Sequence, residues 1–583
     1  MDTWGMHEIA SMIHQLDALP NLPAGLFARC GVHGHGIAAL RPSGEGYAAI
    51  TAARLEEDVR LRARGLLRLG VKPGQRVLLM APNSVDWAIM DFAILAVGAV
   101  TVPVYPSYGP ADIRHVLRDS GSDFCLLESP AELARLGSRE GWGVAAEHVF
   151  LREAGADLRP WSALAEFGRG VADADLDRRV AQIRRQDMAT LVYTSGTTGE
   201  PKGVVLSHGN ILSDIAGFLP CVPSLESGQR VLSFLPLSHV FERVVDHFGP
   251  YLLGLEVAYG ERPDTVLRDL RRARPHLLIA VPRVFQLLYH RLQREIESRP
   301  GLLATLLRRE LDFRAGDPPT WRNRLASRLV ASRLRRQLGG RLQFFVSGGA
   351  PLPQEISRFF LGLGLPILEG YGMTEATAVI AANPLTAIRP GSVGKILPKL
   401  QCRIAPDGEI LVQGPAVMER YWNNERASRE VLADGWLHTG DSGFLDADGY
   451  LTIVDRKKDL IVNAAGENIS PQKIETRLTM HPLIGQAVVF GDRLPYLVAL
   501  IYANPEYAQK LLGGSYGRDA LVKATHTAIQ EALDGLPSYE QVRRFSLLEQ
   551  PLGQESGELT PTFKVKRRVV RERYAKILEG LSQ

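Results

Sequence analysis

Short apolar runs alternate with polar loops and longer amphipathic stretches along most of the chain. Arg76–Met80 is one such run, and the stretch after it, Asp86–Val97, is apolar enough to form a buried helix. Val100–Val104, Phe124–Leu127, Leu191–Tyr193, Val231–Leu235, Leu277–Val281 and Phe344–Val346 continue the series. Brief β-rich runs separated by helical segments predict an α/β architecture on mainly parallel sheets flanked by helices. From Gly391 the texture changes. Gly394-Lys395, Asp407-Gly408-Glu409, Asp434-Gly435-Trp436 and Asp448-Gly449-Tyr450 are closely spaced turn signals, which predict a smaller, hairpin-built β subdomain. The charged run Asp455-Arg-Lys-Lys-Asp459 follows, then a fresh α/β pattern to the end. Such a run does not sit in a core, so a hinge or domain boundary is expected there, with a solvated turn as the plainer alternative.

A length of 583 residues suggests three or four folding units. Lys and Arg (68) nearly balance Asp and Glu (64), and a net charge of +4 excludes a nucleic-acid coat protein or an acidic tail. Cys30, Cys125, Cys221 and Cys402 lie far apart, which argues against a disulfide scaffold or zinc ribbon and suits a reducing cytoplasm. Residues 1–20 carry Asp2, Glu8 and Asp17 and lack the apolar centre of a secretory signal. The longest apolar stretch, Phe92–Tyr105, is too short to span a bilayer and contains Gly98 and Pro103. The expectation is a soluble protein, with any membrane contact peripheral.

The densest candidate chemistry is Tyr193-Thr-Ser-Gly-Thr-Thr-Gly-Glu-Pro-Lys-Gly-Val204. Gly196, Gly199 and Gly203 permit close backbone approach, Thr194, Ser195, Thr197 and Thr198 supply hydroxyls, and Lys202 supplies a cation. That set is what a triphosphate needs. The Walker spacing is absent, because Lys202 follows Gly199 at the third position and precedes Gly203. Downstream, Ser207 is placed to cap the next helix. A flexible polar turn is the plainer alternative.

Thr194–Gly203 resembles the signature of the adenylate-forming superfamily, which comprises acyl-CoA synthetases, luciferases and peptide-synthetase adenylation domains. Other segments resemble that family's motifs in order: Ser347-Gly-Gly-Ala-Pro351, Glu369-Gly-Tyr-Gly-Met-Thr-Glu375, Trp436-Leu-His-Thr-Gly-Asp441, the hinge Asp455–Asp459 and Pro561-Thr-Phe-Lys564. The likeness runs from about residue 45 to 575. It implies a large AMP-binding N-terminal domain over 1–457, with a small β-barrel-like subdomain at about 391–457. A small mobile C-terminal α/β domain over 458–583 would carry the catalytic lysine.

The implied reaction is attack of a carboxylate on the α-phosphate of ATP, giving acyl-AMP and pyrophosphate, followed by transfer to a thiol. Both reactants are anionic, so the site must neutralise charge around the α-phosphate. The resemblance assigns this to Lys564. Phe563 stands where the family usually has Gly, which leaves Lys566 as the alternative lysine. By the same resemblance Thr374 and Glu375 hold phosphate and Mg²⁺, with Thr194 as a second metal ligand. Gly348, Gly349, Ala350, Gly370, Tyr371, Gly372 and Met373 line the nucleotide, with Tyr371 on adenine. Asp441 and Arg456 hold the ribose, Lys458 is the hinge, and Gly466 admits the pantetheine arm of CoA. Taken alone, Glu375 reads more readily as a first-turn charge at a helix start than as a ligand.

His239, in Phe234-Leu-Pro-Leu-Ser-His-Val-Phe-Glu-Arg243, matches the family's aromatic position beside the acyl carboxylate. That string, with Ala280-Val-Pro-Arg-Val-Phe285, resembles the long-chain fatty acyl-CoA synthetases. Without the resemblance, His239 is as well read as a structural histidine. Residues 321–341 carry seven arginines and no acid, with Leu325, Leu329, Leu334 and Leu338 near helical spacing. This segment reads as a solvated helix, as a peripheral contact with an anionic membrane surface, or as a partner of CoA phosphates. The resulting expectation is a cytoplasmic fatty acid–CoA ligase that uses ATP, Mg²⁺ and CoA and binds no nucleic acid. An acyl-AMP ligase loading a separate carrier protein and a catalytically silent binding protein are the alternatives. No carrier segment follows Lys564 in the 583 residues, which favours free CoA.

Overall fold

The computed structural model of the chain describes residues 3–137, 143–153, 155, 158–194, 200–260, 265–297, 332, 334–554, 556–560 and 563–582. Two large sheets form the N-terminal part. The first runs in the order Arg159–Pro160, Val149–Leu151, Phe124–Leu127, Arg76–Met80, Val100–Pro103, Met188–Thr194 and Lys202–Ser207. All its pairings are parallel except the last, where Met188–Thr194 and Lys202–Ser207 are antiparallel. Thr194 and Lys202, on either side of residues 195–199 of the glycine-rich segment, pair across these two strands. Ser207 caps the helix His208–Phe218 in a reciprocal box with Asn210, as its position suggests.

The second sheet is ordered Lys395–Ile396, Ala381–Ala382, Ile367–Tyr371, Phe344–Ser347, Leu277–Ala280, Arg230–Ser233, Glu256–Tyr259, Ile37–Ser43 and Gly46–Thr51. Val85–Ala96 lies buried along its whole length, except for Asp86 at its start. Ser84 accepts a bond from Trp87 N at 3.1 Å and starts this helix. A helix apolar all round belongs inside a large core.

Its one internal charge, Asp91, is fully buried and receives Arg243 Nε at 2.9 Å, Thr101 Oγ1 at 2.7 Å and His247 Nε2 at 3.1 Å. Burial alone would raise the Asp91 carboxyl, but Arg243 and His247 hold it down at about 2. Removing either member of the Asp91–Arg243 pair would strand a buried charge at a cost of about 3–5 kcal/mol. Arg243 opens a π-helical turn, Arg243–Phe248, so this pair fixes the segment that carries the acyl-side candidates.

Past Gly391, Gln401–Ile404, Glu409–Gln413, Leu432–Ala433, Trp436–Leu445 and Leu451–Arg456 form an antiparallel sheet with turns at the expected Asp-Gly sites. Lys395–Ile396 instead extends the second large sheet, pairing with Ala381–Ala382. The C-terminal part packs Pro471–Met480 and Arg518–Ala532 on the sheet Ile484–Phe490, Leu497–Ala503 and Val542–Leu547. The charged run is not wholly solvated. Asp455 is buried and accepts the hydroxyl of Ser470, the cap of Pro471–Met480. A carboxylate can enter the interior there because a capping hydroxyl and the Arg456 N–H, 2.6 Å away, satisfy it. Among the described residues no helix is long and apolar enough to cross a membrane.

Candidate active site

Strand Ile367–Tyr371 ends in a sharp turn, and the Thr374–Ala376 turn follows at once. Gly372 makes this possible. A Cβ there would lie 1.7 Å from the Ala378 carbonyl oxygen, closer than any side chain tolerates. Gly348 is constrained in the same way by the Phe241 ring, 2.8 Å from its virtual Cβ. Phe241 therefore lies flat against the Ser347-Gly-Gly-Ala-Pro351 segment. Gly349 has a positive φ of 81°, and Ala350 beside it is exposed.

Three sequence motifs converge beyond that turn. Tyr371 Oη donates to Asp441 Oδ2 at 2.7 Å, and Arg456 Nε lies 3.3 Å from Asp441 Oδ1. Asp441 and Arg456 are cross-strand partners in the small sheet, so β pairing sets their spacing. Burial pushes the Asp441 carboxyl above its ordinary range, against the opposing pull of Arg456, Tyr371 and Lys564. A carboxylate in that condition gains from further donors, such as two sugar hydroxyls.

Lys564 enters this group from the C-terminal part. Desolvation, and then repulsion from Arg456, lower its ammonium to about 8, while Asp441, Glu242 and Glu375 pull the other way. It therefore lies within electrostatic reach of carboxylates from three separate segments. Thr560 N donates to its carbonyl at 2.8 Å and its own N–H reaches Thr560 Oγ1 at 3.0 Å, closing a tight turn. Phe563 sits in that turn at φ +62° with its ring exposed, so the position keeps the left-handed backbone that glycine prefers. Lys566 instead caps the helix Arg567–Arg573 and donates its backbone N–H to Glu558.

Glu375 Oε1 accepts from Tyr421 Oη at 2.6 Å, and Lys202 Nζ lies over the Tyr421 ring at 5.2 Å from its centroid. Tyr421 thus joins the glycine-rich hairpin to the Thr374–Glu375 turn. Thr374 is buried, and Met373 precedes it in extended conformation. Thr194 ends its strand opposite Lys202. Ser195, Gly196, Thr197, Thr198 and Gly199 lie outside the described residues. His239 caps Val240–Glu242, and its Nδ1 is 2.6 Å from Glu242 Oε2, a short but poorly aligned approach. Lys458 is exposed in the turn after Arg456, and Gly466 is exposed at the tip of the hairpin Ile461–Val462/Asn468–Ile469.

Beside Gly370 and Phe241 lies an apolar cavity of about 70 Å³, which also touches Val245, Gly249, Phe218 and Leu253. The site is thus a cluster of facing cations and carboxylates with an apolar cavity next to it. The sequence does not single out Tyr421, Glu242 or Phe241. Tyr421-Trp422 is only an aromatic pair in a polar stretch, and its pairing with Gly203 and Val204 across more than 200 positions is a tertiary event.

The family model for AMP-binding enzymes matches residues 27–422, and the model for their C-terminal domain matches 458–582. The chain belongs to the AMP-binding enzymes. It is 38% identical over 553 residues to the long-chain-fatty-acid–CoA ligase FadD15 of Mycobacterium tuberculosis, covering 91% of this chain and 92% of that one. It is 30% identical over 584 residues to the peroxisomal long chain acyl-CoA synthetase 7 of Arabidopsis thaliana, covering 92% and 82%. The fold matches the adenylation domain of a carboxylate reductase from Mycobacterium chelonae with a TM-score of 0.78 at 21% identity, covering 100% and 97%. It also matches the anthranilate CoA ligase AuaEII bound to anthranoyl-AMP with a TM-score of 0.76 at 21% identity, covering 97% and 100%. The α/β architecture with a large N-terminal and a smaller C-terminal part is that of adenylate-forming enzymes.

Proposed function

We propose that the chain activates a long-chain fatty acid with ATP and passes the acyl group to CoA. The observation that carries this is the convergence of Tyr371, Asp441 and Arg456 beside an apolar cavity that Gly370 lines, with Lys564 within electrostatic range of Asp441 and Glu375. The relatives' names, long-chain fatty acid–CoA ligase and long chain acyl-CoA synthetase, support the same reading and favour free CoA over a carrier protein.

In the first step a carboxylate oxygen bonds to the α-phosphorus as the bond to the bridging oxygen of pyrophosphate breaks. Lys564, charged below pH about 8, offsets the anionic charge gathering on the non-bridging oxygens. Asp441 accepts the ribose hydroxyls and Arg456 orients the carboxylate that does so. Thr194, the glycine-rich hairpin and Lys202 hold the phosphates. Gly348, Gly349, Ala350, Gly370, Gly372 and Met373 shape the nucleotide slot, with the Tyr371 ring against adenine.

Glu375 and Thr194 would hold Mg²⁺. Tyr421 donates to one Glu375 oxygen, and among the described residues no cluster of three His, Cys, Asp or Glu side chains exists. A magnesium ion bound by one carboxylate and by substrate phosphates suits that donor set. When bound it neutralises phosphate charge.

In the second step the CoA sulfur attacks the acyl carbonyl, the thiol proton is released, and AMP departs. We assign to Lys458 the pivot that withdraws Lys564 between steps, to Gly466 the passage for pantetheine, and to His239 the contact with the acyl carboxylate. Residues 1–457, with the β-rich part from about 391, would then form one body and 458–583 the other. The cytoplasm is our proposed compartment, a reading supported by the free cysteines Cys30, Cys125, Cys221 and Cys402.

A contact of 321–341 with an anionic membrane surface would rest on its arginines, because Leu334 and Leu338 are buried in the core; 321–331 and 333 lie outside the described residues. Vesicle sedimentation with Arg336→Glu tests that contact, and unchanged binding removes it. For the main proposal, a panel of acids is assayed with ATP for pyrophosphate, then with CoA for thioester. Pyrophosphate release with long-chain acids and CoA thioester formation are expected. Absence of pyrophosphate with every acid would overturn the proposal, and adenylate without thioester would support carrier loading.

A further inference from the structure

The apolar cavity has a graded wall. Phe241, Val245, Gly249 and Leu253 line it at a spacing of four along a continuous helical stretch. Phe241 stands at the chemical end, against Gly348. Gly249 is the one place on this stripe without a side chain, and it faces Phe218. A Cβ built on Gly249 lies 3.3 Å from the tip of the Phe218 ring and 3.0 Å from the Val244 carbonyl oxygen. The gap between Gly249 and Phe218 is therefore already filled to van der Waals contact, and one added carbon tightens it.

Distance along the stripe can be read as acyl chain length. From Phe241 to Gly249 the helix advances at most about 12 Å, since the α-helical rise of about 1.5 Å per residue is an upper limit for the π-helical turn Arg243–Phe248. A fully extended chain advances about 1.2 Å per bond, taking three bonds to span about 3.3–3.6 Å. Gly249 thus lies no further than about the tenth carbon of a bound tail, and Leu253 about five carbons further. The cavity of about 70 Å³ has room for roughly five water-sized groups, fewer than a long tail has. A long tail must therefore move a wall. Phe218 ends the helix His208–Phe218 and is half-buried, with solvent on one side to turn into.

We propose that Gly249 and Phe218 form the constriction that sets acyl chain length. The absent side chain at Gly249 and the outward turn of the Phe218 ring let tails beyond about ten carbons pass toward Leu253. This rests on the fatty-acid reading of the cavity.

The test measures kcat/KM for acyl-AMP formation with octanoic and hexadecanoic acids and reads the ratio of the two. Each buried methylene is worth about fourfold in binding. Gly249→Leu, which denies about four methylenes their place, is expected to cut the hexadecanoate-to-octanoate ratio by roughly 200-fold. Gly249→Ala is expected to cut it by less, and Phe218→Ala to raise it. An unchanged ratio in Gly249→Leu, or an equal fall at both lengths, overturns the proposal, as does a Phe218→Ala ratio that does not rise. Gly249→Ala and Phe218→Ala keep the question answerable if the bulkier variant fails to fold. A parent protein inactive on every fatty acid would instead overturn the fatty-acid reading, so the two failures are distinguishable.

Discussion

The lysine of the C-terminal part makes a quantitative demand on pH. Its ammonium falls from 10.5 to about 8 as burial removes water and Arg456 adds repulsion. At 1.36 kcal/mol per unit this is a charging cost of about 3 kcal/mol in the docked arrangement. The sign follows directly. Below pH 8 the docked lysine is protonated and able to meet phosphate oxygens. Between pH 8 and 10.5 docking releases a proton, so the docked arrangement is favoured but its lysine is neutral. Pyrophosphate release should therefore lose kcat/KM about tenfold per pH unit above pH 8, whereas kcat, read with the triphosphate bound, should fall at higher pH. Lys564→Arg should remove this alkaline limb, because a guanidinium stays charged across the range. Arg456→Leu should move the limb upward, whatever it does to the absolute rate, since it removes the repulsive cation. Initial rates of pyrophosphate release from pH 6 to 10 supply the check. A limb near 10 in the parent, or an unchanged limb in Lys564→Arg, would refute the assignment.

Other consequences follow from single contacts. Tyr421→Phe removes the hydroxyl bound to Glu375, and a bond to a charged group is worth about 1.5–3 kcal/mol. The expected loss is roughly ten- to a hundredfold in kcat/KM for ATP, measured by pyrophosphate release, and parental kinetics would remove Tyr421 from the site. Burial raises Glu369 to about 7 from 4.5, so its charged form opposes folding. Its penalty is absent below pH 4.5, grows through the folded value and is complete above pH 7. Glu369→Gln should accordingly raise Tm at pH 8 more than at pH 5 in calorimetry. Phe563 holds φ +62° in the Lys564 turn. Phe563→Gly should keep adenylation, while Phe563→Ile, β-branched and strained by about 1–2 kcal/mol, should slow it roughly five- to thirtyfold. Equal rates in these two variants would show that the turn is unstrained.

Much of the framework was legible in the order of residues because it is local. The apolar runs become strands within three residues of their expected ends, and Arg76–Met80 and Phe124–Leu127 match to the residue, because a buried parallel strand needs continuous apolar side chains. The Asp-Gly turns fall where the small sheet reverses, since backbone conformation at a tight turn is a property of its own residues. The motifs around Thr194, Tyr371, Asp441 and Lys564 were likewise visible as strings. Their grouping was not. The pairing of Asp441 with Arg456 depends on strand register, and the link from Lys202 through Tyr421 to Glu375 joins segments far apart in the chain. The burial of Asp455 ran against its charged neighbourhood, because a capping hydroxyl on another element satisfies it.

The sequence by itself thus determined the elements, the turns and the chemical inventory, all of which depend on neighbours a few residues apart. Only the tertiary structure decided which lysine comes within electrostatic reach of the carboxylates, which tyrosine ties the strand of Lys202 to Glu375, and which segments line the apolar cavity. Those outcomes are set by desolvation and by contact distances of a few ångströms between distant segments, and no local pattern encodes them.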